Sequence, residues 1–167
     1  MYSQAVAESG GALQRLARAY EADPEKQRDL LQEIHLELWL SLKSFDQRCS
    51  LRTWVYRVAH NVAADHIVRS RRISARLVDL EAVEHLPGHQ NWRLDADQQL
   101  SVTALLELIY RLKPLDRQVV LLYLEGETAA SIGETTGLGA RNVATKLHRI
   151  KKLLRHWQAE GVSHDTK

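Results

Sequence analysis

The chain has 167 residues, with 23 Lys and Arg against 21 Asp and Glu, a formal net charge of +2 and 44% hydrophobic residues. This balance excludes a wholly disordered chain, and the short apolar runs exclude a helix that spans a membrane. The start of the chain, residues 1–5, has neither the basic nor the apolar stretch of a secretory signal, so we expect a cytoplasmic protein. A single cysteine, Cys49, can form neither an internal disulfide nor a cysteine zinc cluster.

The first 72 residues show apolar positions at helical spacing and no convincing strand pattern. A first helix is predicted to end near Tyr20. Asp23-Pro24 is typical of a helix start, because Asp caps the N-terminus and Pro fits the first turn. This second helix is predicted over about 24–43, with a buried stripe made of Leu31, Ile34, Leu38 and Leu42.

A third helix is predicted over about 51–71, with Ser50 as its N-cap. The three-to-four spacing predicts that it buries Leu51, Trp54, Val55, Val58 and Val62. Other side chains of this helix are predicted to lie mostly away from that stripe: Arg52, Tyr56, Arg57, His60 and Asn61. Trp54 is therefore interpreted as a core residue, and Tyr56 as the better exposed aromatic side chain.

Residues 73–97 are acidic, contain Pro87-Gly88 and show no sustained period, so they are predicted to form a flexible linker. The fold class that follows is all-α, with two small helical domains at residues 1–72 and 98–160 and a flexible tail at 161–167. Each domain is small, so each core must consist of compact helix-on-helix packing.

The C-terminal domain contains a predicted helix-turn-helix. Helices are predicted over about 97–111, 115–124, 128–135 and 140–158, and Pro114 separates the first two. Gly133 is small where the last two helices must approach, and Gly137 lies where their turn needs a positive φ. The last helix is predicted to bury Val143, Leu147, Ile150, Leu154 and Trp157.

Charge is strongly segregated along the chain. Residues 46–72 carry six Arg and two Asp, and residues 139–156 carry six bases and no acid. The intervening residues 73–138 carry five bases and ten acids. Two basic segments suit two contacts with a polyanion such as a nucleic acid.

Both basic segments fall in stretches that resemble one protein family. Residues 105–155 resemble region 4 of bacterial sigma-70-family factors, closest to the extracytoplasmic-function group. Residues 29–33 with Trp39 resemble region 2.2, and residues 51–59 with Asn61, Asp65 and 69–72 resemble regions 2.3 and 2.4. The matches occur in the family's order and cover about 100 residues. Gly133 stands where an Ala is common in the family, which should weaken its short helix by about 1 kcal/mol.

The resemblance implies a sigma factor that binds core RNA polymerase and directs transcription initiation at promoters. The residues that would bind core polymerase are Asp29, Gln32 and Glu33. Those that would bind the −10 element are Arg48, Ser50, Arg52, Tyr56, Arg57, His60, Asn61, Arg69, Arg71 and Arg72. Those that would bind the −35 element are Arg141, Asn142, Thr145, Lys146, Arg149 and Lys152. Many relatives are restrained by an anti-sigma factor, so such a partner is also expected.

Two other classes of protein were weighed. An enzyme is not expected, because the eight His are scattered, no Gly-rich phosphate loop occurs and no metal site or cofactor is indicated. A stand-alone dimeric helix-turn-helix regulator would fit the basic C-terminal helix equally well. Such a regulator does not account for the N-terminal motifs. It would bind DNA unaided as a dimer, whereas the sigma factor is expected to be a monomer when free.

Overall fold

The structure is a computed structural model that describes residues 1–77 and 96–164, with side chains described for 1–70 and 102–156. The chain divides into two compact units, Met1–Asn91 and Trp92–Lys167. The described residues are helical with turns between the helices and contain no strand. Most of the predicted linker lies outside the described residues.

The N-terminal unit is a bundle of three helices: α1 (Tyr2–Tyr20), α2 (Pro24–Ser41) and α3 (Leu51–Leu77), with a short 3-10 turn at Leu42–Ser44 after α2. Asp23 caps α2 as predicted, since its carboxylate accepts hydrogen bonds from the backbone N–H groups of Glu25 and Lys26. Ser50 caps α3, because its Oγ accepts from the Thr53 N–H at 3.0 Å. The last residues of α3, 73–77, extend the helix into the predicted linker.

The core of this unit forms where the three helices meet one another. It contains Leu13 and Leu16 of α1, Leu30, Ile34 and Leu38 of α2, and Val55, Ala59 and Ala63 of α3. The predicted stripe of α2 was wrong at both ends, because Leu30 is fully buried while Leu31 is only half-buried, and Leu42 lies half-buried in the 3-10 turn after the helix. Trp54 is half-buried and packs on Phe45, with a centroid distance of 5.3 Å.

The C-terminal unit contains α4 (Ala96–Tyr110), α5 (Pro114–Leu124), α6 (Ala129–Thr136) and α7 (Ala140–His164). Pro114 opens α5 after an extended Lys113, as Pro does at a first helical position. Thr128 caps α6 through its Oγ1, which accepts from the Ser131 N–H at 3.2 Å. The C-terminal end of α7 extends four residues into the predicted tail.

Two glycines shape the turn between α6 and α7 for different reasons. Gly137 has a φ of +77°, the left-handed conformation that favours glycine at a helix C-terminus. Gly133 lies against the turn itself, because a Cβ there would come within 2.5 Å of the Leu138 carbonyl oxygen. Both predictions for this turn are confirmed.

The long helix α7 packs on α4, α5 and α6. Its buried stripe contains Val143, Leu147 and Ile150, as predicted, while Leu154 is half-buried and the Trp157 side chain lies outside the described residues. The guanidinium of Arg117 is buried beneath α4, where its Nη2 donates to the Tyr110 carbonyl oxygen at 2.6 Å. A cation at the C-terminal carbonyls of a helix is favourable, so Arg117 stabilises the C-terminal end of α4.

Candidate nucleic-acid interface

The outer surface of α2 combines acids, an amide and large apolar side chains. Asp29 and Gln32 are exposed, as predicted, and Glu33 is partly exposed. The next turns of the same surface hold three exposed apolar side chains: Leu36, Trp39 and Leu40. The sequence did not predict this apolar patch, in which 51% of the Trp39 surface is exposed. Exposed apolar clusters of this kind are typical of protein–protein contacts.

The loop before α3 presents Arg48 to solvent. Its guanidinium forms an ion pair with Asp46, with Nε 2.9 Å from Oδ2, and the Arg48 N–H donates to the same carboxylate. Ser50 is exposed, but its Oγ caps α3, so it serves the helix rather than remaining a free polar group. Arg52 is exposed at the start of α3, and its guanidinium lies 5.3 Å from the centre of the Tyr56 ring.

Two predicted −10 residues point into the protein, so the predicted exposure of Tyr56 and His60 was wrong. Tyr56 is 3% exposed and His60 2% exposed. The His60 Nδ1 lies 3.1 Å from the Tyr20 Oη of α1, and burial lowers the pKa of His60 to about 3. The error arose because α3 is covered by both α1 and α2, which buries a wider face than the predicted stripe.

Most of the exposed side chains of α3 between residues 51 and 70 are polar or charged, and Val68 is the apolar exception. Asn61 and Arg69 are exposed, and Arg57 is half-buried. Arg69 reaches α2, where its Nη2 donates to both carboxylate oxygens of Glu33 at 2.6 and 2.8 Å. This contact joins a residue predicted to bind DNA to one predicted to bind polymerase. The side chains of Arg71 and Arg72 lie outside the described residues.

Helix α7 presents one face with cationic and hydrogen-bonding side chains. The predicted residues that are exposed on it are Arg141, Asn142, Thr145, Arg149 and Lys152. The Thr145 hydroxyl donates to the Arg141 carbonyl oxygen at 3.0 Å. His148 lies in the same stretch and is also exposed, although sequence reasoning did not select it. An exposed basic helix after a tight turn has the form of a recognition helix for duplex DNA.

Lys146 is the exception on α7. Its Nζ lies 2.5 Å from Asp116 Oδ1 of α5, and only 21% of the Lys146 side chain is exposed. In this structure Asp116 attracts the Lys146 ammonium towards α5, and the assignment of Lys146 to the −35 element stays a prediction. Further along, Lys151 donates to the Tyr123 hydroxyl at 2.9 Å, which lowers the pKa of that phenol. Both lysines tie α7 to α5.

Among the described side chains, at residues 1–70 and 102–156, no group of three or more His, Cys, Asp or Glu could hold a metal ion. Within residues 1–77 and 96–164, none of the helices has the length and apolar character that a membrane crossing requires.

Comparison with known families matches both units. Residues 6–73 match the family model for sigma-70 region 2, and residues 103–154 match the model for sigma-70 region 4. The two matches follow one another along the chain and together cover most of both basic helices, α3 and α7.

Similar proteins agree with these matches. A probable RNA polymerase sigma factor RfaY of Xanthomonas campestris pv. campestris is 26% identical in an alignment of 161 positions that covers 93% of this chain and 40% of that protein. The extracytoplasmic-function sigma factor SigW of Bacillus subtilis is 26% identical in an alignment of 135 positions that covers 76% of this chain and 72% of SigW. The chain thus spans less than half the length of the first relative.

A solved structure has the same fold. The sigma factor RpoE from Bartonella quintana, in complex with the anti-sigma factor NepR, superposes with a TM-score of 0.70 at 17% identity, covering 93% of this chain and 94% of RpoE. The two region models, the named relatives and the shared fold lead to one conclusion: the chain belongs to the sigma-70 family, in its extracytoplasmic-function group.

Proposed function

We propose that this protein is a sigma factor that binds core RNA polymerase and directs it to promoters by recognising a −10 and a −35 element. The observation that carries this proposal is the pairing of region 2 and region 4 in one chain, each with a helix that carries exposed basic side chains. Sigma factors are known as non-enzymatic initiation factors, and we propose no catalytic activity or cofactor here. The site of action would be the cytoplasm, where core polymerase works.

The outer surface of α2 is proposed as the docking site for core polymerase. Asp29 and Gln32 offer a charge and an amide for pairing, and both are exposed. The neighbouring apolar patch of Leu36, Trp39 and Leu40 supplies apolar surface that is removed from water on docking. A polar group beside a large aromatic anchor is the usual arrangement of an interface hot spot.

The loop at residues 45–50 and the accessible face of α3 are proposed to engage the −10 element. That element becomes single-stranded when the promoter opens, so its recognition needs cations for the backbone and polar groups for splayed bases. Arg48, Arg52 and Asn61 are exposed, and Arg57 is half-buried. Tyr56 and His60 are left out of this surface because both are buried.

The exposed face of α7 is proposed to read the −35 element in the major groove. Arg141, Asn142 and Thr145 lie at its N-terminal end, where a recognition helix meets base edges. Arg149 and Lys152 lie one to three turns later and suit phosphate oxygens. A bidentate contact of Arg or Asn with the correct base discriminates by about 1–3 kcal/mol.

The two DNA contacts are expected to depend on polymerase. Each unit presents few base-reading side chains, so each should bind DNA weakly alone and act with a high effective concentration when both are held on polymerase. Free protein should therefore be monomeric, and its residual DNA binding should fall steeply with salt. An anti-sigma factor is a proposed further partner, by analogy with the complex of RpoE with NepR.

Transcription in vitro tests this proposal. Purified protein is mixed with bacterial core RNA polymerase and genomic DNA fragments from its source, and the 5′ ends of the transcripts are sequenced. We expect new start sites that share two upstream elements at fixed spacing. Substituting Asn142→Ala should change the preferred upstream element and leave the downstream element unchanged.

The opposite result is equally clear. If no new starts appear and the protein does not comigrate with core polymerase on a sizing column, the sigma-factor proposal fails. Dimers that bind a duplex operator tightly without polymerase would instead support the stand-alone regulator.

A further inference from the structure

Glu33 and Arg69 form an ion pair that joins the two proposed surfaces of the N-terminal unit. Glu33 lies on α2, one residue after Gln32 of the docking surface, and Arg69 lies near the C-terminal end of α3. Both Glu33 oxygens accept from the Arg69 Nη2, at 2.6 and 2.8 Å. A carboxylate that already accepts from a guanidinium has its charge largely compensated, so it offers less attraction to a cation of another protein.

The guanidinium keeps an accessible side. More than half of the Arg69 side chain, 54%, is exposed, against 39% for Glu33. A guanidinium carries five N–H donors in a fixed fork, and both contacts with Glu33 use Nη2. The Nε and Nη1 groups can therefore donate to a phosphate while Glu33 still holds Nη2.

We propose that Glu33 is a positioning residue for Arg69, which it holds in place for a phosphate of the promoter DNA, rather than a direct contact to polymerase. This inference rests on the proposed function, since it assigns a task within the same promoter-binding surface. Arginine has several rotatable bonds, and a side chain that is already fixed loses less conformational entropy on binding. The ion pair thereby prepares one phosphate contact before DNA arrives.

Simple electrostatics predicts that neutralising Glu33 has the opposite effect on promoter binding from the one expected of a positioning residue. Neutralising Glu33 raises the net charge by one beside a DNA-binding helix, which by itself strengthens attraction to phosphates. If Glu33 only screens Arg69, Glu33→Gln should improve promoter binding. If Glu33 positions Arg69, the same substitution should weaken it. The sign of the effect therefore separates the two.

The experiment measures two quantities for each variant with the full chain and bacterial core polymerase. The first is affinity for core, from the anisotropy of labelled protein, and the second is the fraction of promoter opened, from a fluorescent base in the −10 element. For Glu33→Gln we expect core affinity within twofold of wild type and promoter opening reduced about three- to tenfold. Glu33→Asp keeps the charge but shortens its reach, so it should show part of this loss.

A double-substitution cycle tests whether Glu33 acts through Arg69. Arg69→Gln should reduce opening at least as much as Glu33→Gln, and the double variant should be no worse than Arg69→Gln alone. Glu37→Gln is the matched control, because Glu37 is an exposed acid on the same helix. It should leave both quantities unchanged. Thermal unfolding of each variant verifies that it is folded at the assay temperature.

The possible failures can be told apart. A gain in opening for Glu33→Gln, or additive losses in the double variant, overturns the positioning role. A loss of core affinity equal to that of Asp29→Asn assigns Glu33 to the polymerase contact and also overturns it. If wild type itself neither binds core nor opens a promoter, the proposed function fails and this inference fails with it.

Discussion

The two units hold their long basic helices in different ways. Between residues 51 and 70, α3 buries eight side chains, including Tyr56 and His60, whereas between residues 140 and 156 α7 buries only Val143, Leu147 and Ile150. Polar contacts follow the same division. In α3 a neutral hydrogen bond with Tyr20 lies inside the core, while α7 is tied to α5 at its edge by charged Lys146.

This difference decides which side chains are left for DNA. Because α1 and α2 pack extensively along α3, this helix keeps a narrow accessible face and offers a few basic and amide groups at its margins. A helix with a narrow buried stripe keeps most of its circumference, so α7 offers a broad basic face. A narrow face supplemented by a loop suits a single strand, and a broad rigid helix suits a major groove.

The largest expected effect comes from the turn that fixes the broad face of α7. Gly133→Val places a branched side chain where even a Cβ would lie 2.5 Å from the Leu138 carbonyl oxygen. Because the obstacle is backbone, the turn must shift, and we expect a loss of about 3 kcal/mol in unfolding free energy of the C-terminal unit. Chemical denaturation, monitored by amide hydrogen exchange, measures this loss separately for the N-terminal and the C-terminal unit.

The matched control is Gly137→Ala. A Cβ at Gly137 meets nothing within 4 Å, and the strain comes only from its φ of +77°. Its cost should be about 1 kcal/mol, well below that of Gly133→Val. Equal costs for the two substitutions, or protection lost in α1–α3, would contradict the assignment of Gly133 to close packing.

The same contrast explains what sequence reasoning could reach. The C-terminal turn was predictable because its determinants are local: Pro114, Thr128, Gly133 and Gly137 each act within a few residues. The buried face of α3 was not predictable, because helices earlier in the chain cover it; His60, for example, contacts Tyr20 of α1, forty residues before it. Helical spacing gives the direction of each side chain but not how widely the neighbouring helices cover the helix.

Prediction of the proposed site from the sequence was limited in the same way, since local features were found and contacts between distant residues were not. Exposed charged and polar residues such as Asp29, Asn61 and Arg141 were found from type and spacing, since such groups are usually exposed. The partners of Arg69 and Lys146 were not found. Each ion pair joins two helices, and Glu33 and Asp116 lie 36 and 30 residues away along the chain.

The second prediction tests the buried histidine of α3. The pKa of His60 is about 3 in the folded protein because burial disfavours the charged ring, whereas an unfolded His titrates near 6.5. Between these values only the unfolded chain binds the proton, so stability falls as pH falls. The slope approaches about 1.4 kcal/mol per pH unit, which amounts to about 2 kcal/mol between pH 6.5 and 5.

The comparison variant is His60→Gln, which stays neutral and can still hydrogen-bond Tyr20. The unfolding free energy of both proteins is measured in urea from pH 7.5 to 5. Taking the difference between the two free energies removes the contribution of other titrating groups. Wild type should lose stability more steeply below about pH 6.5. Parallel pH profiles would show that His60 is accessible to protons in the folded state. The buried face of α3 would then be less completely covered, and closer to that of α7, than the structure indicates.

The smallest effects come from α7, where Lys146 and Arg149 separate stability from DNA binding. Lys146→Met leaves the half-buried Asp116 carboxylate without its partner, so we expect a loss of about 1 kcal/mol in unfolding free energy. Arg149→Met changes an exposed residue and should alter stability by less than about 0.5 kcal/mol. On −35 DNA with the polymerase complex the order should reverse, because Arg149→Met removes a phosphate contact and lowers the salt slope by about one. If Lys146→Met instead changes the preferred −35 sequence without loss of stability, Lys146 leaves Asp116 to read a base, and the edge contact of α7 is not a fixed structural tie.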